Sequence, residues 1–150
     1  MLSRVHTLMP QARLTGIDGS KEMLEQARSK LSEAHFVEGD LEETVPDPAS
    51  YNVVVSLNVL HHVKDQTAYL KALVSALKPG GTMFLCDFAV DHLMMRSAEF
   101  YWRLFHPAHH KALSSYALKK MLLEQGMQIV DSKILQPDRF WQLQIYKLSL

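Results

Sequence analysis

The sequence predicts an α/β fold built on a mostly parallel sheet, and three observations carry that expectation. Short apolar runs alternate with stretches whose apolar residues recur at helical spacing. One run, Val53-Val54-Val55, is unbroken, as in a strand buried on both faces. The chain closes on two strand-like segments whose link around Pro137-Asp138 is too short for a parallel return. The length of 150 residues fits a single domain, 1–150, and a 47% hydrophobic share is enough for one core.

Taken in order, Leu2 to Met9 reads as a short helix closed by Pro10, and Arg13 to Ile17 as a short strand reaching Asp18. Ser20 offers an N-cap to a helix whose Met23, Leu24, Ala27 and Leu31 make one buried face. His35 to Val37 is the second strand, ending in Glu38-Gly39-Asp40, and Pro46-Asp47-Pro48 marks a loop. Tyr51 to Leu57, with its valine run, is the candidate central strand. Leu70, Leu73, Val74 and Leu77 give the next helix its stripe, and Lys78-Pro79-Gly80-Gly81 ends it. Thr82 to Phe88 is another buried strand. His92 to Phe105 reads as a helix rich in Met and aromatic residues, a stripe that suits ordinary core or a lid over an apolar ligand. Ser114 or Ser115 caps a further helix through Gln125, stopped by Gly126. Met127 to Leu135 and Phe140 to Leu148 are the closing antiparallel strands. In the latter, Trp141, Leu143 and Ile145 alternate with Gln142 and Gln144, which puts the glutamines on a wet face. The sum is a parallel sheet with one reversed edge strand.

Composition narrows the function. Sixteen Lys and Arg balance sixteen Asp and Glu, so no net field draws the chain toward nucleic acid or an anionic membrane. The lone Cys86 lies in an apolar run and suits a reducing cytoplasm. No apolar stretch is long enough to cross a bilayer, and the N-terminus carries no leader pattern, so a cytoplasmic protein is expected. His106, His109 and His110 lack the spacing of a recognised ligand set, and no metal site is expected from them.

In open parallel sheets, ligands bind beyond the carboxyl ends of the strands, where Asp18, Asp40, Asn58 and Asp87 fall. An acid after a strand and before a helix can accept both hydroxyl protons of a ribose, and Asp18 has that position. It equally suits a loop carboxylate or a partner for the helix N-terminus. Asp40 could accept from a purine amine, or serve as a turn residue beside Gly39.

The segment Leu14-Thr15-Gly16-Ile17-Asp18-Gly19-Ser20-Lys21-Glu22-Met23-Leu24-Glu25-Gln26-Ala27-Arg28 closely resembles the second-strand region of class I S-adenosylmethionine-dependent methyltransferases. Three further matches follow in the family's order: Phe36-Val37-Glu38-Gly39-Asp40-Leu41, Tyr51 to His62, and Leu77-Lys78-Pro79-Gly80-Gly81-Thr82. The resemblance covers nearly the whole chain. It implies a Rossmann-like, doubly wound sheet, S-adenosylmethionine as cofactor, and methyl transfer to a small molecule. It also implies that Asp18 binds the ribose hydroxyls, that Gly19 and Ser20 shape the adjoining turn, that Asp40 holds the adenine amine, and that Leu41 packs on the ring. Asn58, His61 and His62 would lie near the methionine end and the acceptor. There a neutral imidazole can take an acceptor proton, and at least one of the pair is expected to cap or pack against the following helix. An amino-methylase of nucleic-acid bases and a thiol-relay enzyme are disfavoured, because no Pro-Pro-aromatic follows Asn58 and only one cysteine is present.

The family's first strand and its Gly-x-Gly turn have no counterpart, since Met1 to Met9 matches the end of the helix that follows that turn. In the family's strand order, 3-2-1-4-5-7-6, the absent strand is central. Its two neighbours are then expected to close on each other or to be completed by another chain, making a homo-oligomer, or the sequence is truncated. The alternative to an enzyme is a non-catalytic, methyltransferase-like binding or scaffold subunit.

Overall fold

Asp18 ends β1 (Thr15–Asp18), which runs parallel to β2 (His35–Glu38) with Asp18 opposite Glu38. The computed structural model describes residues 1–40, 42–44 and 46–150, and the chain divides into two units, Met1–Thr44 and Val45–Leu150. In the first unit, α1 (Leu2–Leu8) precedes β1, and α2 (Lys21–Lys30) joins the two strands. Ser20 caps α2 as expected, its hydroxyl accepting from the Met23 N–H at 3.3 Å. Of the expected apolar stripe, Leu24 and Leu31 are buried, while Met23 is exposed.

The second unit holds a four-stranded sheet in the order β3 (Tyr51–Leu57), β4 (Leu77–Phe88), β6 (Leu143–Ser149), β5 (Gln128–Leu135). β3 and β4 are parallel, and β6 is antiparallel to both of its neighbours. The sheet is therefore mixed and the fold α/β, as the sequence predicts. The reversed strand, however, is interior and not at the edge. Pairing with both β4 and β5 satisfies the backbone groups on each side of β6.

Three helices accompany this sheet: α3 (Gln66–Ala76), α4 (Leu93–Phe105) and α5 (Ser115–Glu124). α3 lies on β3 and β4, where the Tyr69 hydroxyl meets the Ser56 hydroxyl at 3.0 Å. Leu70, Met83, Leu85, Leu118, Leu122 and Leu148 form the fully buried centre. β4 starts earlier than expected, so Leu77 and the Lys78-Pro79-Gly80-Gly81 segment belong to the strand and not to a helix terminus. Glycine is required there. Gly80 has φ +75°, and a Cβ on Gly81 would lie 2.9 Å from the Lys78 carbonyl oxygen and 3.2 Å from that of Asn52.

Two expectations about strands are overturned. Tyr51–Leu57 is an edge strand of its sheet, and Val53, Val55 and Leu57 are 53%, 39% and 42% exposed. The period of two puts these three on one face, which stays partly exposed, while Ser56 goes to the covered face. The glutamines of the last strand are not both wet. Gln144 is 0% exposed and shares the buried face with Tyr146 and Leu148, leaving Leu143 and Ile145 half-buried. Its amide donates to the Phe88 and Leu113 carbonyls, each at 2.9 Å, and its carbonyl accepts from the Tyr146 hydroxyl. Full pairing is what makes a buried amide affordable. The strand also begins at Leu143, because Asp138 Oδ1 accepts from the Phe140 and Trp141 N–H groups and holds them in a turn.

Candidate functional site

In the first unit, the two expected carboxylates stand at the same end of the paired strands. Asp18 Oδ1 accepts from the Ser20 N–H at 2.9 Å, and Asp40 Oδ1 accepts from the Glu42 N–H at 2.9 Å. Their turns touch, the Gly39 N–H donating to the Asp18 carbonyl at 3.2 Å. Gly39 is sterically fixed, since a Cβ there would fall 1.9 Å from Thr44 Oγ1. A Cβ on Gly19 would make only ordinary contact, 3.7 Å from the Gly39 carbonyl oxygen. Each local turn engages one oxygen of its carboxylate, and Asp40 is exposed. Two acceptors side by side beyond parallel strands suit the hydroxyls and amine of a nucleoside. Leu41, expected to pack on its base, lies outside the described residues.

In the second unit, Asn58 follows β3 with φ +54° and donates its N–H to the Cys86 carbonyl at 2.8 Å. Asparagine tolerates that left-handed conformation better than most residues. A single 3-10 turn, Leu60–His62, comes next and sends its two imidazoles to different environments. His61 is buried: its Nδ1 lies 2.6 Å from Asp87 Oδ1, and its N–H donates to Asp87 Oδ2 at 3.2 Å. His62 is exposed, with Nδ1 2.5 Å from the Ala108 carbonyl oxygen. A carbonyl oxygen only accepts, so Nδ1 of His62 carries the hydrogen and the neutral ring keeps its lone pair on Nε2. Partial burial holds the His62 pKa below its ordinary 6.5, opposed by the Ala108 carbonyl and reinforced by His61 and His109.

An aromatic chain leads away from the histidines. The His61 ring centroid is 4.0 Å from that of His62 and 4.9 Å from that of Phe88; Phe88 stacks on Trp141 at 5.1 Å, and Trp141 on Trp102 at 5.5 Å. Trp102 lines an open groove of about 630 Å³ formed by α4 from Leu93 to Trp102 and by Phe140. Among the described residues, no charged side chain lines it. α4 buries only Met95 and Glu99, and its Leu93, Phe100, Tyr101, Leu104 and Phe105 are exposed, so this stripe is not ordinary core.

Sequence reasoning left two parts of this arrangement unassigned. Asp87, placed at a strand end, is the partner that buries His61. Glu99, the sole carboxylate of α4, pairs with His109 at 2.5 Å. A lone acid within a Met and aromatic helix was the available signal.

Residues 6–132 match a family profile described as a methyltransferase domain. The chain belongs to the methyltransferase domain family. Among its relatives, a trans-aconitate 2-methyltransferase of Rhodopseudomonas palustris is 37% identical over 101 residues, 63% of this chain and 39% of that protein. A ubiquinone biosynthesis O-methyltransferase of Idiomarina loihiensis is 39% identical over 83 residues, 49% of this chain and 32% of that protein. This chain thus spans less than half the length of the curated relatives it matches. Its fold is shared with solved methyltransferases of low identity. One is an S-adenosylmethionine-dependent methyltransferase from Mesorhizobium loti, with TM-score 0.75, 16% identity, and coverage of 92% of this chain and 80% of that one. Another is the Burkholderia thailandensis 1,6-didemethyltoxoflavin-N1-methyltransferase, solved with S-adenosylhomocysteine, with TM-score 0.71, 18% identity, and coverage of 97% and 64%. These likenesses establish the Rossmann-like α/β methyltransferase fold.

Proposed function

We propose that this domain transfers a methyl group from S-adenosylmethionine to a small-molecule acceptor. The observation that carries the reading is the pair Asp18 and Asp40 at adjoining strand ends, in a chain of this family. Asp18, with the Gly19-Ser20 turn, would hold the ribose hydroxyls, and Asp40 the adenine amine. Asn58 serves the methionine end. When bound, the sulfonium supplies an electrophilic methyl and a neutral thioether leaving group, so the protein's task is to align, exclude water and accept a proton. His62 would take up the acceptor's proton at Nε2. His61, held by Asp87, anchors the turn that carries His62.

The uncharged groove beside α4 favours an apolar or aromatic acceptor, such as a phenol, over a polycarboxylate of the trans-aconitate kind. Calorimetric titration with S-adenosylhomocysteine tests the cofactor reading. Binding is expected, and Asp18→Ala is expected to weaken it roughly tenfold to a hundredfold, the worth of hydrogen bonds to a charged acceptor. No heat and no thermal shift at millimolar ligand would instead make the chain a non-catalytic binding or scaffold subunit.

A second copy of the chain is the partner proposed for β3. That strand stands at a sheet edge with Val53, Val55 and Leu57 exposed, an arrangement open to strand addition. Light scattering is expected to give a dimer or larger assembly, and Val53→Lys with Val55→Lys to return a monomer; a monomeric parent chain rules the pairing out. The same reading takes residues 1–150 as one domain working in the cytoplasm, where the lone Cys86 thiol stays reduced.

A further inference from the structure

The segment from His106 to Leu113 connects α4 to α5 and carries the carbonyl that orients His62. Its backbone is tied down by groups from several elements. The His61 carbonyl accepts from the His110 and Lys111 N–H groups at 2.8 and 3.1 Å, and buried Gln66 donates Nε2 to the Lys111 carbonyl at 2.6 Å. Glu99 Oε2 accepts from His109 Nε2 at 2.5 Å and from the Ala112 N–H at 3.1 Å. Two ties act on the residue next to Ala108: the His109 N–H donates to the His106 carbonyl at 2.9 Å within the segment itself, and the Glu99–His109 pair is the one that reaches it from another element.

Glu99 is a costly choice on stability grounds. The carboxylate is buried, and its Oε1 has no hydrogen-bond partner among the described residues. Well-packed apolar side chains often do as well as a buried ion pair or better, so stability does not account for this one. The pair is also not remote from the candidate base. The His109 ring centroid lies 5.3 Å from that of His61, which is itself 4.0 Å from that of His62, and 5.5 Å from that of Trp102 at the groove.

We propose that Glu99 is a positioning residue for His62: by holding His109 and Ala112 it fixes the Ala108 carbonyl against His62 Nδ1, and so keeps Nε2 free to take a proton. Free neutral histidine favours the opposite tautomer, with hydrogen on Nε2. Without the carbonyl in place, much of the population would present an N–H where a base is needed. The inference rests on the reading of His62 as the base, but its first readout does not depend on methyl transfer.

Long-range ¹H–¹⁵N NMR of the 150-residue chain, with His62 assigned by substitution, reports which ring nitrogen carries hydrogen. The parent chain is expected to show the Nδ1–H form. Glu99→Leu is expected to convert His62 mainly to the Nε2–H form and, with catechol as acceptor, to lower kcat about tenfold to a hundredfold at little change in KM. Glu99→Gln keeps an acceptor for both donors and is expected to retain the parent tautomer. If Glu99→Leu does not fold, His109→Phe keeps the ring contacts while removing the donor, and the same tautomer change is expected. An unchanged His62 tautomer in a folded Glu99→Leu or His109→Phe chain overturns the proposal. A tautomer that responds to Glu99 while His62→Gln leaves turnover intact upholds the positioning and overturns the base instead.

Discussion

Replacing His62 with glutamine is expected to lower kcat by about 10²- to 10⁴-fold, the range over which a positioned base contributes. Glutamine keeps the approximate size and a polar end but cannot take up a proton near neutrality. S-adenosylhomocysteine affinity should change little, because the groups proposed to hold the nucleoside are Asp18 and Asp40, and His62 is assigned only the acceptor's proton. The pH profile gives the sign. His62 works as the neutral imidazole, and partial burial lowers its pKa from 6.5. In the parent chain kcat therefore rises with pH through an apparent pKa below 6.5 and is level above it. In His62→Gln that rising limb disappears. Steady-state methyl transfer to catechol between pH 5 and 8 checks both features, and a profile in the variant that keeps the parent's limb would remove His62 from the mechanism.

Asp87→Ala is expected to destabilise the fold by about 3–5 kcal/mol, the cost of breaking a buried ionisable pair from one side. Asp87 accepts three hydrogen bonds, from His61 Nδ1, the His61 N–H and the Phe88 N–H. Removing the carboxylate leaves all three donors in a buried region, where unpaired polar groups are expensive. For a chain of this length the loss corresponds to a fall in melting temperature on the order of 10 °C. Asp87→Asn retains an acceptor for the imidazole and should lose markedly less. Thermal unfolding followed by circular dichroism distinguishes the two variants, and equal melting temperatures for Asp87→Ala and the parent would show that His61 is not held by this carboxylate.

Much of the fold was legible because its signals are local. Ser20 and Ser114 cap helices through hydrogen bonds to residues three positions on, and the turn at Asp18 depends on its own backbone. Asp40 is likewise fixed by Glu42 within its own turn. Burial along single strands was less legible. The valine run reads as central, and whether a face is covered depends on neighbours that the run does not encode; here Val53 and Val55 are exposed. Gln144 reads as wet by composition, yet the carbonyls of Phe88 and Leu113, distant in the chain, give its amide a buried place. His61 and Asp87 are 26 positions apart, so no spacing rule joins them.

Sequence alone determined the α/β class, the strand ends carrying Asp18, Asp40 and Asn58, and the neighbouring histidines, because helix caps, turns and apolar periodicity act over a few residues. Only the tertiary structure separated the surroundings of those histidines, burying His61 on Asp87 and leaving His62 exposed with Nδ1 on the Ala108 carbonyl. It also placed β6 inside the sheet and gave Glu99 a partner in His109. The physical reason is common to all three. Tautomer, burial and strand partnership are set by groups that meet only after folding, through contacts far apart in the chain.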